Sequence, residues 1–161
     1  MTTNHTVRGL LRQYAAVLDA LAQTEAIRSK NNPVADYAEW LVAQSLGLLL
    51  APKSSKGFDA SDIEGTKYEI KARRLTADNT SRQVSAIRSI GDQQFDFLAG
   101  VLFDHDFNVL RAAKIPWLVV SELSTHRKHT NAAVFHLRDS VWDIPGVVDL
   151  TEQLQHAEAN L

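Results

Sequence analysis

The chain has 161 residues, 45% of them hydrophobic and 22% charged, with no cysteine and a formal net charge of −2. Such a chain is expected to fold as one globular domain, residues 1–161, with neither a disulfide framework nor a thiolate zinc site, and its negative balance excludes indiscriminate coating of nucleic acid. It has no signal-peptide-like apolar core at its start and no apolar run near the roughly 20 residues of a membrane span, so it is expected to be cytoplasmic, with no membrane partner.

Residues 1–30 read as an appended amphipathic helix, Val7 to Ile27, with Leu10, Leu11, Tyr14, Val17, Leu18 and Leu21 at helical spacing, available to pack or dimerise. Ser29 to Asn32 is a linker. A second helix runs from Pro33 to Leu46, with Asn32 as N-cap, Pro33 at the first helical position and Gly47 as terminator. On the helical wheel Ala35, Ala38, Val42, Ala43 and Leu46 form its apolar stripe, and Glu39 falls inside that stripe. A carboxylate so placed requires a partner: a metal ion, the lysine of the hairpin that follows, or, if the helix rolls slightly, an arginine at the core margin.

Leu48 to Ala51 is expected as a short strand, followed by a hairpin of Phe58 to Ser61 and Lys67 to Arg74 around the turn residues Asp62 to Gly65. That pairing brings Asp59 beside Glu69. Because side chains alternate along a strand, Glu69 and Lys71 share one face, while Tyr68, Ile70 and Ala72 take the other. Two carboxylates and an ammonium on one sheet face supply oxygen ligands for a hard cation and a positive charge beside an attacking water, the needs of a magnesium-dependent phosphodiesterase. From Lys53 to Arg88 eight basic residues face five acidic ones, a local excess that suits a phosphate backbone.

Further along, Ser81 is read as the N-cap of a helix through Ile90 that Gly91 ends, with Arg82, Gln83 and Arg88 free to face substrate. Phe97 to Phe103 is an unbroken apolar run, the mark of a strand covered on both faces. Asp104 to Asn108 makes a turn, Val109 to Ile115 returns as a strand, and Pro116 starts a short helix. Residues 121–161 add a strand at Ala133 to Leu137 and a closing helix at Asp149 to Ala159. His126 and His129 lie in a polar loop with no third ligand close in sequence, and read as a solvated basic loop whose functional version is phosphate contact. Trp40, Trp117 and Trp142 are scattered, so packing explains them better than base stacking.

Glu39 on a helix, Asp59 on a strand and Glu69-x-Lys71 on the next strand resemble the PD-(D/E)XK, or restriction-endonuclease-like, nuclease superfamily. The resemblance covers a core of residues 33–120, with Phe58 where the family name implies proline. It implies an α/β fold with a mixed central sheet flanked by helices and an extra N-terminal helix, and an Mg²⁺-dependent endonuclease hydrolysing DNA. In that reading Asp59, Glu69 and the main-chain carbonyl of Ile70 bind Mg²⁺, for which Mn²⁺ would substitute, and Glu39 holds a second ion or its water shell. Lys71 orients the attacking water, and the products carry a 5′-phosphate and a 3′-hydroxyl. Lys56, Arg73, Arg74, Arg82 and Gln83 are the residues expected to meet DNA, and a homodimer would present two sites to opposite strands. The competing readings are a catalytically silent DNA-binding or assembly module and a structural interaction protein whose ionic hairpin is only surface.

Overall fold

A computed structural model describes residues 6–29 and 31–161. The helices are α1 (Val7–Ala22), α2 (Pro33–Leu46), α3 (Trp117–Leu123) and α4 (Thr151–Ala159). The strands are β1 (Leu49–Leu50), β2 (Ala60–Ser61), β3 (Lys67–Arg74), β4 (Ile87–Arg88), β5 (Phe97–Phe103), β6 (Val109–Pro116), β7 (Thr125–Arg127), β8 (Ala132–Val134) and β9 (Val148–Asp149). Six strands form the central sheet in the order β1-β2-β3-β5-β6-β9, and β4-β8-β7 form a smaller one. Within the large sheet β3 and β5 run parallel and every other pair is antiparallel, so the fold is α/β with a mixed central sheet.

Strand β5 sits at the centre because its sequence has no polar face to give to water. Ala99, Val101 and Phe103 enter a core shared with Leu41 and Val42 of α2 and Leu154 of α4. Leu98 and Leu102 point the other way, into a core built from Ile87, Ala133, Phe135 and Leu137 of the small sheet and its flanks. One face of the large sheet is therefore covered by helices and the other by the small sheet, α3 and the irregular C-terminal segment. Gly100 lies opposite Lys71 on β3, and a Cβ there would stand 2.6 Å from Cδ2 of the fully buried Leu137, so a larger residue would force the two layers to shift.

Helix α2 starts and stops as its sequence dictates. Asn32 Oδ1 accepts from the Val34 amide at 3.1 Å, Pro33 opens the helix, and Gly47 closes it in the left-handed conformation at φ 66°. Its buried face is rolled relative to the expected stripe: Leu41 is fully buried with Ala38 and Val42, while Ala35 is exposed. Glu39 consequently sits at the core margin, 17% exposed.

Several expected boundaries shift. Helix α1 ends at Ala22 rather than Ile27, its last turn met by the Thr24 hydroxyl donating to the Leu21 carbonyl, and Ile27 is buried in the segment that follows. It buries none of its residues. Strand β2 is confined to Ala60–Ser61, so Asp59 lies just ahead of it. Strand β1 is Leu49–Leu50, the strand expected at Ala133 to Leu137 is β8, one residue earlier and shorter, and α4 begins two residues later than expected because Asp149 belongs to β9.

The helix expected from Ser81 to Ile90 is absent. Its backbone groups are taken by a segment about fifty residues away: the Val84 amide donates to the Phe135 carbonyl at 3.1 Å, the Leu137 amide to the Arg82 carbonyl at 3.0 Å, and Ile87 pairs with Ala133. Val84, Ile87 and Ile90 are all buried, which a helix and this extended path satisfy equally at the level of sequence. Long-range pairing decided between them.

Candidate functional site

Asp59 is held on three sides by main chain. Its amide donates to the Tyr68 carbonyl at 2.8 Å, its carbonyl accepts from the Ala51 amide at 2.8 Å, and its Oδ2 accepts from the Ile70 amide at 2.7 Å. The approach depends on Gly57 at φ 94°, where a Cβ would also strike Gln94. Opposite, Glu69 and Lys71 leave β3 on the same face, Lys71 Nζ lying 2.8 Å from Glu69 Oε1, with side chains 17% and 14% exposed for lysine and glutamate. Burial pushes the Asp59 carboxyl up to about 6, and the Glu69 carboxylate adds to that; the Ile70 amide, Lys71 and Arg28 offset only part of it. The β2–β3 register sets Asp59 across from Glu69, and Asp59 shares the wall of one cavity with Glu39.

Glu39 has a partner that the sequence left open among several. Arg28 Nη2 lies 2.7 Å from Glu39 Oε2, and the same guanidinium donates through Nη1 to the Ala51 carbonyl at 3.1 Å. Burial and the nearby Asp59 still hold the Glu39 carboxyl above its usual range, against the pull of Arg28. One turn earlier on α2 is Asp36, which the sequence reading passed over. It is buried, and its Oδ2 accepts from the Arg28 amide at 3.0 Å and the Ser29 hydroxyl at 2.8 Å, with Lys53 Nζ at 3.4 Å. Burial raises its carboxyl, but the Ser29 hydroxyl, Lys53 and the Arg28 amide together bring it below the ordinary carboxylate range. Two acids three residues apart share a helix face, and that spacing was the available signal.

Two cavities open onto these groups. One of about 200 Å³ is lined by Arg28, Asp36, Glu39, Lys53 and Asp59. The other, of about 500 Å³, is lined by Lys56, Glu69, Lys71, Arg88, Ser89 and Gln94. A larger, mostly apolar cavity of about 720 Å³ lies between the end of α1 and α2, beside Tyr37, Trp40 and Phe107, and contains none of the predicted site residues.

Among the residues expected to meet DNA, Lys56 is exposed at the second cavity. Arg73 Nη2 donates to Asn79 Oδ1 at 3.1 Å, and Arg74 donates to the His105 carbonyl at 2.8 Å while its guanidinium stacks 4.7 Å from the Phe107 ring centre. Arg82 is 2.6 Å from Asp139, which it shares with Arg111, and Gln83 bridges to His136. His126 and His129 are exposed at the edge of the small sheet. Trp117 and Trp142 are packing residues whose indoles donate to the Ile90 and Ala112 carbonyls.

Among the described residues no three histidine, aspartate or glutamate side chains form a ready-made cation cage. The donor set is instead a carboxylate pair, Asp59 and Glu69, next to a main-chain strand. This fits Mg²⁺ chemistry, since that ion keeps several waters and takes one or two carboxylates plus substrate phosphate rather than an all-protein shell. Compared with known proteins, the chain matches no family model and no curated sequence. No helix among the described residues is long and apolar enough to cross a membrane.

Proposed function

We propose that the chain is a Mg²⁺-dependent DNA endonuclease built on a restriction-endonuclease-like core. The observation that carries the reading is the position of Asp59, just ahead of β2 and across from Glu69 and Lys71 of β3, with Glu39 of α2 lining the same cavity as Asp59. These four groups come from three elements spread over more than thirty residues, and burial makes their company costly, so a role in chemistry accounts for them better than a solvated surface does. Asp59, Glu69 and the Ile70 carbonyl would hold the Mg²⁺, with Mn²⁺ as a substitute. When bound, the ion supplies Lewis-acid polarisation of the phosphate and a more acidic water. Lys71 orients the attacking water and stabilises the negative charge that develops on the phosphoryl oxygens. Glu69, in contact with Lys71, fixes the direction of that ammonium. Glu39 completes the acidic wall and, through Arg28, ties the site to the segment before α2.

A second reading, a DNA-binding or assembly module that does not cut, is favoured by one observation: each carboxylate already has a partner within the protein, Glu39 with Arg28, Asp59 with the Ile70 amide and Glu69 with Lys71. Calorimetric titration with Mn²⁺ beside a plasmid-cleavage assay separates the readings. The enzyme gives a binding isotherm and cleavage, the silent module an isotherm alone, and a structural protein neither.

Cytoplasmic location and homodimerisation belong to the same proposal. The dimer is supported by α1, where Val7, Leu10, Tyr14 and Val17 are exposed and, with Leu21, alternate three and four residues apart, the spacing of a helix-to-helix seam.

A further inference from the structure

In the small sheet β4 and β7 flank β8, and the register places Arg88 and Arg127 opposite the same residue, Ala132. Residues in register on neighbouring strands project from one face, so the two arginines stand on either side of an alanine, about 10 Å apart at Cα for two strand spacings. The opposite face belongs to the core, where Ile87 and Ala133 are buried, and the arginine face therefore looks outward. Ala132 is a buried floor between two exposed cations, and Lys128 follows Arg127 at the same edge, also exposed. Among the described residues none of Arg88, Arg127 and Lys128 has a carboxylate within ion-pair distance. This separates them from Arg82 and Arg111, which neutralise Asp139 between them.

The backbone that carries the row is held in place. Ser89 and Asn131, the residues just after β4 and just before β8, are both left-handed, at φ 51° and 45°. The Ser89 amide donates to the Asn131 carbonyl at 3.0 Å and Asn131 Nδ2 to Ser89 Oγ at 3.3 Å. Non-glycine residues keep that conformation only where their surroundings hold them, and here the pair locks the end of β4 to the turn that bears Lys128. The row also connects to chemistry: Arg88 and Ser89 line the cavity that contains Glu69 and Lys71, with Lys56 on its wall.

We propose that the outer face of the small sheet is a DNA-backbone clamp, in which Arg88, Arg127 and Lys128 hold the strand that enters the Glu69–Lys71 cavity. The clamp rests on the nuclease reading of that cavity. Guanidinium forks suit phosphate oxygens, and a row of cations without base-reading groups sets the position of the strand and not its sequence. It gives a chain of net charge −2 a local means of engaging a polyanion: three exposed cations with, among the described residues, no carboxylate within ion-pair distance stand together beside the site.

The test is fluorescence anisotropy of a labelled 20-base-pair duplex in Ca²⁺ over a salt series, with the parent, Arg88→Gln, Arg127→Gln, the double variant, and Arg8→Gln on α1 as control. Each clamp arginine removed should make the slope of log affinity against log salt less negative by about 0.9, and the double variant should bind about tenfold more weakly at moderate salt. The double Arg→Lys variant should keep the parent slope. Both side chains are exposed, so melting temperatures should stay at the parent value. A parent that binds with a steep slope while the double Arg→Gln variant keeps both slope and affinity overturns the clamp and leaves the nuclease reading standing. A parent that binds no duplex at low salt overturns both. Tighter binding of an RNA duplex of equal length under the same salt overturns the assignment of DNA as the ligand.

Discussion

Arg28 and Glu39 meet at 2.7 Å on the wall of the cavity that also contains Asp59, with side chains 27% and 17% exposed. The guanidinium thus holds a position from which a divalent cation near Asp59 is repelled. Replacing it with methionine keeps the stem and removes the charge, leaving Glu39 without its partner. We expect Arg28→Met to melt lower in the absence of metal, by about 1–2 kcal/mol for a pair at the core margin, and to gain more stability from Mn²⁺ than the parent does. Paired thermal melts with and without Mn²⁺ measure both, and equal metal-induced shifts in parent and variant would remove Arg28 from any account of cation binding.

Loss of activity should follow from single changes at Asp59 or Lys71. Asp59→Asn keeps an acceptor for the Ile70 amide, and Lys71→Ala removes the ammonium without touching the ladder. Each is expected to lower Mg²⁺-dependent cleavage about 100-fold or more, with the double variant little worse than either, because groups acting as one unit do not lose independently. Initial rates on supercoiled plasmid decide it; parent-like rates in either variant exclude that residue from the site.

The Asp59 carboxyl, raised to about 6, makes stability depend on pH in a definite direction. Between its unfolded value near 3.8 and about 6 the folded protein keeps a proton that the unfolded chain has released, so stability falls as pH rises through that window and then levels off. Asp59→Asn lacks this loss. In metal-free buffer the variant should match the parent below about pH 4 and exceed it by about 1–3 kcal/mol at pH 7, where the parent carries the buried charge. Denaturant titrations at both pH values test this. Mn²⁺ affinity of the parent should weaken below pH 6, since the ion requires the ionised carboxylate.

Exchanging the ion should divide binding from chemistry. Ca²⁺ accepts longer and less regular oxygen coordination than Mg²⁺, so we expect DNA to bind in Ca²⁺ without efficient cutting, and to dissociate steeply as salt is raised. Gel-shift and cleavage assays on one labelled duplex settle the point, and efficient cutting in Ca²⁺ would argue against a site tuned to Mg²⁺.

Gly100 offers a structural control. Alanine there would bring a Cβ to 2.6 Å from Leu137 Cδ2 and 3.0 Å from Cδ1. Overpacking of this kind typically destabilises by about 1–3 kcal/mol, and the effect should fall when Leu137 is shortened to valine in the same chain. A double-mutant cycle by urea unfolding measures the coupling; strict additivity would mean that the layers do not meet through this pair.

Where local chemistry and burial pointed the same way, the sequence was readable. Asn32, Pro33 and Gly47 bracket α2 as capping physics requires, and the unbroken run of β5 has no polar face to misplace. The Glu-x-Lys strand was readable because alternation alone places Glu69 and Lys71 together. Residues 81–90 were not, since Val84, Ile87 and Ile90 are spaced for a helix and only pairing with 132–137 makes them extended. The partner of Glu39 was equally hidden: Arg28 lies outside any regular element, so no periodicity points it at α2, and the core-margin arginine could be foreseen only as a type. Short strands such as β4, β7 and β9, two or three residues long, carry no pattern of their own.

Helix α4 seats Leu154 in the same core as Leu41 and Val42 of α2, and Gln153 Nε2 donates to the Ser45 carbonyl across 108 residues. As the chain leaves the ribosome, α2 is therefore made long before the helix that clamps it. Until Leu154 has been added, the helix that carries Glu39 lacks its backing, and Glu39 need not yet share a cavity wall with Asp59. Late closure of so distant a contact slows folding, but it also delays the meeting of Glu39 with Asp59 until nearly the whole apolar core is available to hold them together.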